Sequence, residues 1–211
     1  MARIILLCVS LVFCATCGIG LAAEGSKDIA AGDWSEPVTD NRGFAVRGRL
    51  VLAEKPRGDG RRQVAVYIEL QDASDHVGST MQIFCDLGRT DFREEYKGGL
   101  RCELRDKDKK LVPPMVFAFS GGVPGSVWMT LPSDSTIRLR TTPYGIHREG
   151  ALAICPGLHE VWAIENDDAA EYFLSGTFTV DPSADKKPPA DGQVWRGTLV
   201  LPPMRVVSQR K

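Results

Sequence analysis

Histidine is scarce in this chain: only His76, His147 and His159 occur in 211 residues. That removes most routes to general acid–base and zinc chemistry. His159-Glu160-Val161-Trp162-Ala163 opens like a zinc-protease helix, but that site needs a second histidine where Ala163 stands. No Gly-x-Ser-x-Gly elbow and no Gly-Lys-Ser/Thr phosphate loop is present. Beyond residue 23 there is no Cys-x-x-Cys, so neither a redox motif nor a zinc knuckle is indicated. Excess charge is lacking too. Lys and Arg total 26 against 27 Asp and Glu, which leaves no electrostatic footprint for nucleic acid. Long apolar runs are confined to the N-terminus; the best later stretch, 111–119, is short and broken by Pro113-Pro114. No amphipathic helix pattern is evident.

Weaker chemical echoes fail on spacing or lack partners. Asp106-Lys107-Asp108 begins like a calcium loop, yet the fifth, sixth and twelfth positions hold Lys110, Leu111 and Phe117. Glu165, Asp167, Asp168 and Glu171 read as a solvated acidic turn before a calcium cluster. Cys155 and His159 could approach across Pro156-Gly157, but no oxyanion donor or third member can be named for them. Gly32-Asp33-Trp34 echoes the opening of lipocalin barrels; three residues decide little, and Trp34 reads as a core plug at the first strand. No cofactor is implied.

What is present begins with a secretory pattern. Arg3 is the only charge before Glu24, 4–16 is apolar, and Gly18, Gly20, Ala22 and Ala23 provide a small-residue exit. Cleavage is expected after Ala22 or Ala23, making residues 1–23 a signal peptide and the protein periplasmic or extracellular. Two alternatives stay open: a lipid anchor through Cys17, or a retained N-terminal anchor. With the signal gone, no membrane span is expected. Residues 24–33, small and polar, are expected to be a flexible tether, and 34–211 a single domain large enough for a real core.

The dominant period is two, the mark of strands. Phe44, Val46, Gly48, Leu50 and Leu52 alternate with Ala45, Arg47, Arg49 and Val51. Val64, Val66, Ile68 and Leu70 share a face opposite Tyr67 and Glu69. Shorter sets follow at 81–85, at 100–104, at 137–140, at 151–155 and at 161–164, with Lys107 to Lys110 as a charged hairpin tip. Residues 116–120 and 126–131 flank Gly121-Gly122-Val123-Pro124-Gly125, a hairpin pattern. Leu174 and Phe178 on one late run, and Trp195, Leu199 and Leu201 on the last, are expected core, the last run ending at Pro202-Pro203. Many short strands divided by Gly, Pro and Asp turns predict an all-β, antiparallel β-sandwich, with a closed β-barrel as the alternative.

From Trp34 onward the chain resembles a group of uncharacterised exported proteins of planctomycete-type bacteria. Trp34-Ser35-Glu36-Pro37-Val38, Val66-Tyr67-Ile68-Glu69-Leu70 and Trp128-Met129-Thr130-Leu131-Pro132 carry the resemblance. So do Tyr172-Phe173-Leu174-Ser175-Gly176-Thr177-Phe178 and Trp195-Arg196-Gly197-Thr198-Leu199-Val200-Leu201-Pro202-Pro203. The resemblance implies an immunoglobulin-like sandwich. It implies no activity and no functional residues.

These features favour a non-catalytic exported module that meets an unknown protein or envelope component. A β-barrel carrier of an apolar ligand is the second reading, and an enzyme with an unrecognised site the third. Cys85, Cys102 and Cys155 remain after signal removal, an odd number in an oxidising compartment. Cys85 and Cys102 are expected to pair, because residues 86–101 can fold back between two strand-like runs. The same stretch holds a candidate partner loop in Phe92, Arg93 and Tyr96, whose rings either dock a partner or pin the loop to the sheets. Intact-mass and N-terminal peptide analysis of the exported chain should find Ala23 or Glu24 first. A lipidated Cys17, or retained residues 1–22, overturns that expectation.

Overall fold

The computed structural model describes residues 27–56, 62–76, 78–85, 99–116, 126–141, 151–154, 160–165, 171–182, 186–189 and 192–206. Its strands are β1 (Lys27–Ala31), β2 (Val38–Thr39), β3 (Ala45–Pro56), β4 (Arg62–Asp72), β5 (Thr80–Cys85), β6 (Gly99–Asp106), β7 (Leu111–Val112) and β8 (Met115–Val116). They continue with β9 (Val127–Pro132), β10 (Thr136–Arg140), β11 (Ala151–Ile154), β12 (Glu160–Glu165), β13 (Tyr172–Val180), β14 (Gln193–Val194) and β15 (Gly197–Val206). The protein is all-β: among the described residues there is no helix, and no sheet closes into a barrel.

Two larger sheets make the sandwich. One runs β1-β3-β4-β10, with β2 added to β3; the other runs β15-β13-β6-β7. Two three-stranded sheets, β14-β5-β9 and β11-β12-β8, complete the layers, and all pairings except β14 with β5 are antiparallel. The apolar alternation explains the assembly. Val46, Leu50, Leu52, Val66, Ile68 and Leu70 turn inward from β3 and β4, meeting Leu174, Phe178, Leu199 and Leu201 in one buried core. Gly48 lies where β3 packs against β15. A Cβ there would stand 3.0 Å from Leu199 Cδ1, 3.1 Å from Leu201 Cδ2 and 3.2 Å from Leu70 Cδ2. The leucines fill the space that a side chain at Gly48 would occupy.

All five expected core residues are buried; Trp195, Leu174, Phe178 and Leu199 are wholly so. Several expectations need correction. Lys27–Ala31, expected within the tether, is β1, hydrogen-bonded to β3 from Lys27↔Glu54 to Ala31↔Val51. The hairpin pattern around 121–125 lies outside the described residues; of its flanks, Met115–Val116 (β8) joins β12 and β9 joins β5. The last strand does not stop at Pro202-Pro203. It continues to Val206, and its register against β13 slips between Leu174↔Met204 and Gly176↔Leu201. One extra residue is thereby taken up at the prolines, so burial passes from Leu199 and Leu201 to Met204 and Val206. A strand with one free side tolerates the missing proline amides.

Two hairpins use one local device. Asp40 Oδ1 accepts the amides of Arg42 (2.9 Å) and Phe44 (3.1 Å), and Asp106 Oδ1 accepts those of Asp108 and Lys110 (both 2.9 Å). In each, the residue three beyond the aspartate takes a left-handed backbone, Gly43 at φ 89° and Lys109 at φ 63°. The Asp106 carboxylate is therefore a turn former.

Leu199→Ala should lower stability by about 2–5 kcal/mol through lost burial and a cavity. Gly48→Ala alone should also destabilise, because its methyl meets the leucine ends. Combined, the two should cost less than the sum of their separate effects, since the new methyl enters the vacated space. Urea unfolding of the three variants measures this, and additive costs would refute the packing described.

Candidate functional site

The face of the first sheet that points away from the core carries its most concentrated chemistry. Period two sends Arg47 and Arg49 of β3, Tyr67, Glu69 and Gln71 of β4, and Arg138 of β10 to this side. Register then sets them in rows. Arg49 pairs with Glu69 across β3–β4, and Glu69 with Arg138 across β4–β10. Arg47 stands opposite Gln71, and Val51 opposite Tyr67. Val51, Ala53, Ala65 and Tyr67 form a second, small buried cluster at one end of the face.

Glu69 is the centre of the middle row. Its Oε2 accepts from Arg49 Nε at 2.7 Å, and its Oε1 from Arg138 Nε at 2.7 Å. The residue is only 7% exposed, so two guanidinium partners answer the burial of its charge. Arg138 also grips Asp28 of β1 with both terminal nitrogens, at 2.8 and 2.7 Å, in a bidentate pair. Its guanidinium carbon lies 5.5 Å from the centre of the Tyr67 ring. The Arg138 hydrogen bond, followed by the charges of Arg138 and Arg49, holds the Asp28 carboxyl below its ordinary range despite partial burial. Arg138 is pushed further up by Asp28 first and Glu69 next, against the pull of burial.

Trp34 lies across the upper arginines. The Gly32 amide donates to Leu50 O (2.9 Å) and the Ser35 amide to Gly48 O (2.8 Å), so the segment carrying the indole is fastened on both sides. The Ser35 hydroxyl accepts the Gly48 amide at 3.0 Å. The guanidinium carbons of Arg49 and Arg47 sit 4.6 and 5.2 Å from the Trp34 ring centre, in cation–π range. Trp34 is therefore a partly exposed partner of two arginines, a correction to its expected place as a core plug. Arg47 Nε donates to Gln71 Oε1 at 2.8 Å.

Other sequence candidates fall elsewhere. Phe92, Arg93 and Tyr96, with Cys155, His147 and His159, lie outside the described residues. His76 packs its ring against Phe44 with centroids 5.0 Å apart. Cys85 and Cys102, expected to pair, stand on β5 and β6, strands of different sheets. Cys85 is wholly buried on β5, whereas Cys102 sits on β6 opposite Gly176, its sulfur 3.3 Å from where a Cβ of that glycine would be. Among the described residues no three His, Cys, Asp or Glu side chains converge as a metal cage requires. The arginine–aromatic face was overlooked as a site. Its signal was the recurrence of Arg47 and Arg49 opposite an apolar face, matched by Tyr67 and Glu69 on the next strand.

No protein-family model matches the chain, and neither a curated protein nor a solved structure matches it.

Removing the buried carboxylate with Glu69→Ala leaves two arginines without their shared partner and should cost about 3 kcal/mol in chemical unfolding. Asp28 gives a separate pH signature. Its depressed pKa means that its ion pair contributes fully above the ordinary carboxylate value and is lost as acid titrates the folded form. Asp28→Asn should therefore be less stable than the parent at neutral pH and should lose less stability as the pH falls below about 4. Equal acid sensitivity in the two proteins would count against this assignment.

Proposed function

We propose that this chain is a non-catalytic exported β-sandwich acting as an interaction or structural module of the cell envelope or extracellular space. The observation that carries the reading is the outer face of the first sheet, where Trp34, Tyr67, Arg47, Arg49 and Arg138 are held in place by strand register and ion pairs. Arginine and large aromatics together are the residues that concentrate binding energy at protein interfaces. Export rests on the N-terminal pattern of Arg3, an apolar stretch and small residues. An immunoglobulin-like character, and kinship with uncharacterised exported planctomycete-type proteins, rest on the sequence resemblance. The carrier reading draws less support, because the apolar faces of β3, β4 and β15 fill one another where Gly48 meets Leu199 and Leu201.

The test is crosslinked capture of envelope components by the tagged full chain, beside a Trp34→Ala variant checked by thermal melting. Capture should fall several-fold while the melt changes little, because Trp34 lies outside the core. Undiminished capture by the variant would remove this face as the interaction surface.

A further inference from the structure

We infer that Arg47 and Arg49 form a receptor for an extended acidic segment of a partner protein, one bearing carboxylates at alternate positions. The inference rests on the reading of this face as the interaction surface and names the chemistry of what it meets. Three arginines of the face, Arg47, Arg49 and Arg138, are not equivalent. Arg138 places Nε, Nη1 and Nη2 on Glu69 and Asp28, so its fork is committed within the fold. Arg47 and Arg49 are anchored by Nε alone, on Gln71 and Glu69, and among the described residues their terminal nitrogens carry no further hydrogen bond. Each presents the end of the guanidinium that grips a carboxylate bidentately. Trp34 stacks on both and limits their rotamers, so little side-chain freedom is left to lose on binding.

Spacing selects the ligand. Residues two apart on a strand stand roughly 6.5–7 Å apart, and an extended peptide repeats the same interval on each of its faces. Two carboxylates at alternate positions of such a peptide can face two guanidiniums in register. Charge agrees, since Arg47, Arg49, Arg138 and Arg140 outnumber Asp28 and Glu69 on this face. The excess is small, and the whole chain has a formal net charge of −1. A polyanion such as nucleic acid or a sulfated polysaccharide depends on many neutralising cations. Two carboxylates suit the site better.

Fluorescence anisotropy of the full chain with a labelled peptide of alternating Glu and Thr tests the inference, beside the same peptide with Gln for Glu. The Glu peptide should bind, the Gln peptide should not, and binding should weaken as salt rises. Arg47→Ala and Arg49→Ala should each weaken binding about tenfold, as loss of a charge-assisted bond to a carboxylate would. Arg47→Lys should not restore it, because an ammonium lacks the planar fork. Arg105→Ala, which removes an exposed charge on β6, should change nothing. The Arg47 variants guard against misfolding, since their internal anchor is the neutral Gln71. Absence of binding, an equal loss with Arg105→Ala, or tighter Arg47-dependent binding of dextran sulfate overturns the inference. If the peptide fails while envelope capture still depends on Trp34, this inference falls and the broader reading of the face stands.

Discussion

A carboxylate buried on a sheet face has to be neutralised where it stands, and Glu69 imposes that requirement on its surroundings. Each of its oxygens meets an arginine from a different neighbouring strand, Arg49 on β3 and Arg138 on β10. Those arginines are then held by others: Arg49 by the Trp34 ring, Arg138 by Asp28 and the face of Tyr67. The single charge thus links β1, β3, β4 and β10 on the side of the sheet that the main core does not reach. Exchanging such a group for an apolar one can be neutral in stability, whereas removing one partner is not. What the charge adds is position, because a one-residue slip of β4 would carry Glu69 into the core and leave both arginines unmatched.

Strand β3 shows how the two sides of the molecule are kept compatible. Val46, Leu50 and Leu52 fill the core, with Gly48 facing the Leu199 and Leu201 side chains of β15. Between them Arg47 and Arg49 serve the outer face. The twofold repeat keeps these roles on opposite sides of one backbone, so packing and recognition share a scaffold without sharing side chains. Gly48 is joined to the outer arrangement through its amide, which donates to Ser35 next to Trp34. Sheet separation and indole position are therefore set by neighbouring atoms.

Much of the fold was legible because burial and polarity alternate strictly in the long strands. The inward set on β3 and β4, and Leu174, Phe178, Leu199 and Leu201, follow from that alternation alone. The misses have specific physical causes. β1 is a short edge strand whose Ile29 is its one large apolar residue, too little to show a period. The bulge at Pro202-Pro203 shifts the buried parity, and two prolines read as an end. The arginine face depended on more than pattern. Sequence places Arg49, Glu69 and Arg138 on strands, but the row exists only through the register of β4 with β10, which no local signal specifies.

Arg138 meets Glu69 across 69 residues of chain and Asp28 across 110. Bonds of that reach form only after the intervening loops have closed, so they arrive late, after the local hairpins at Asp40 and Asp106. Interactions absent from the folding transition state leave the rate of folding nearly untouched and act on the rate of unfolding. The ion-paired face therefore bears on the lifetime of the folded molecule: it works as a latch across strands that lie far apart along the chain.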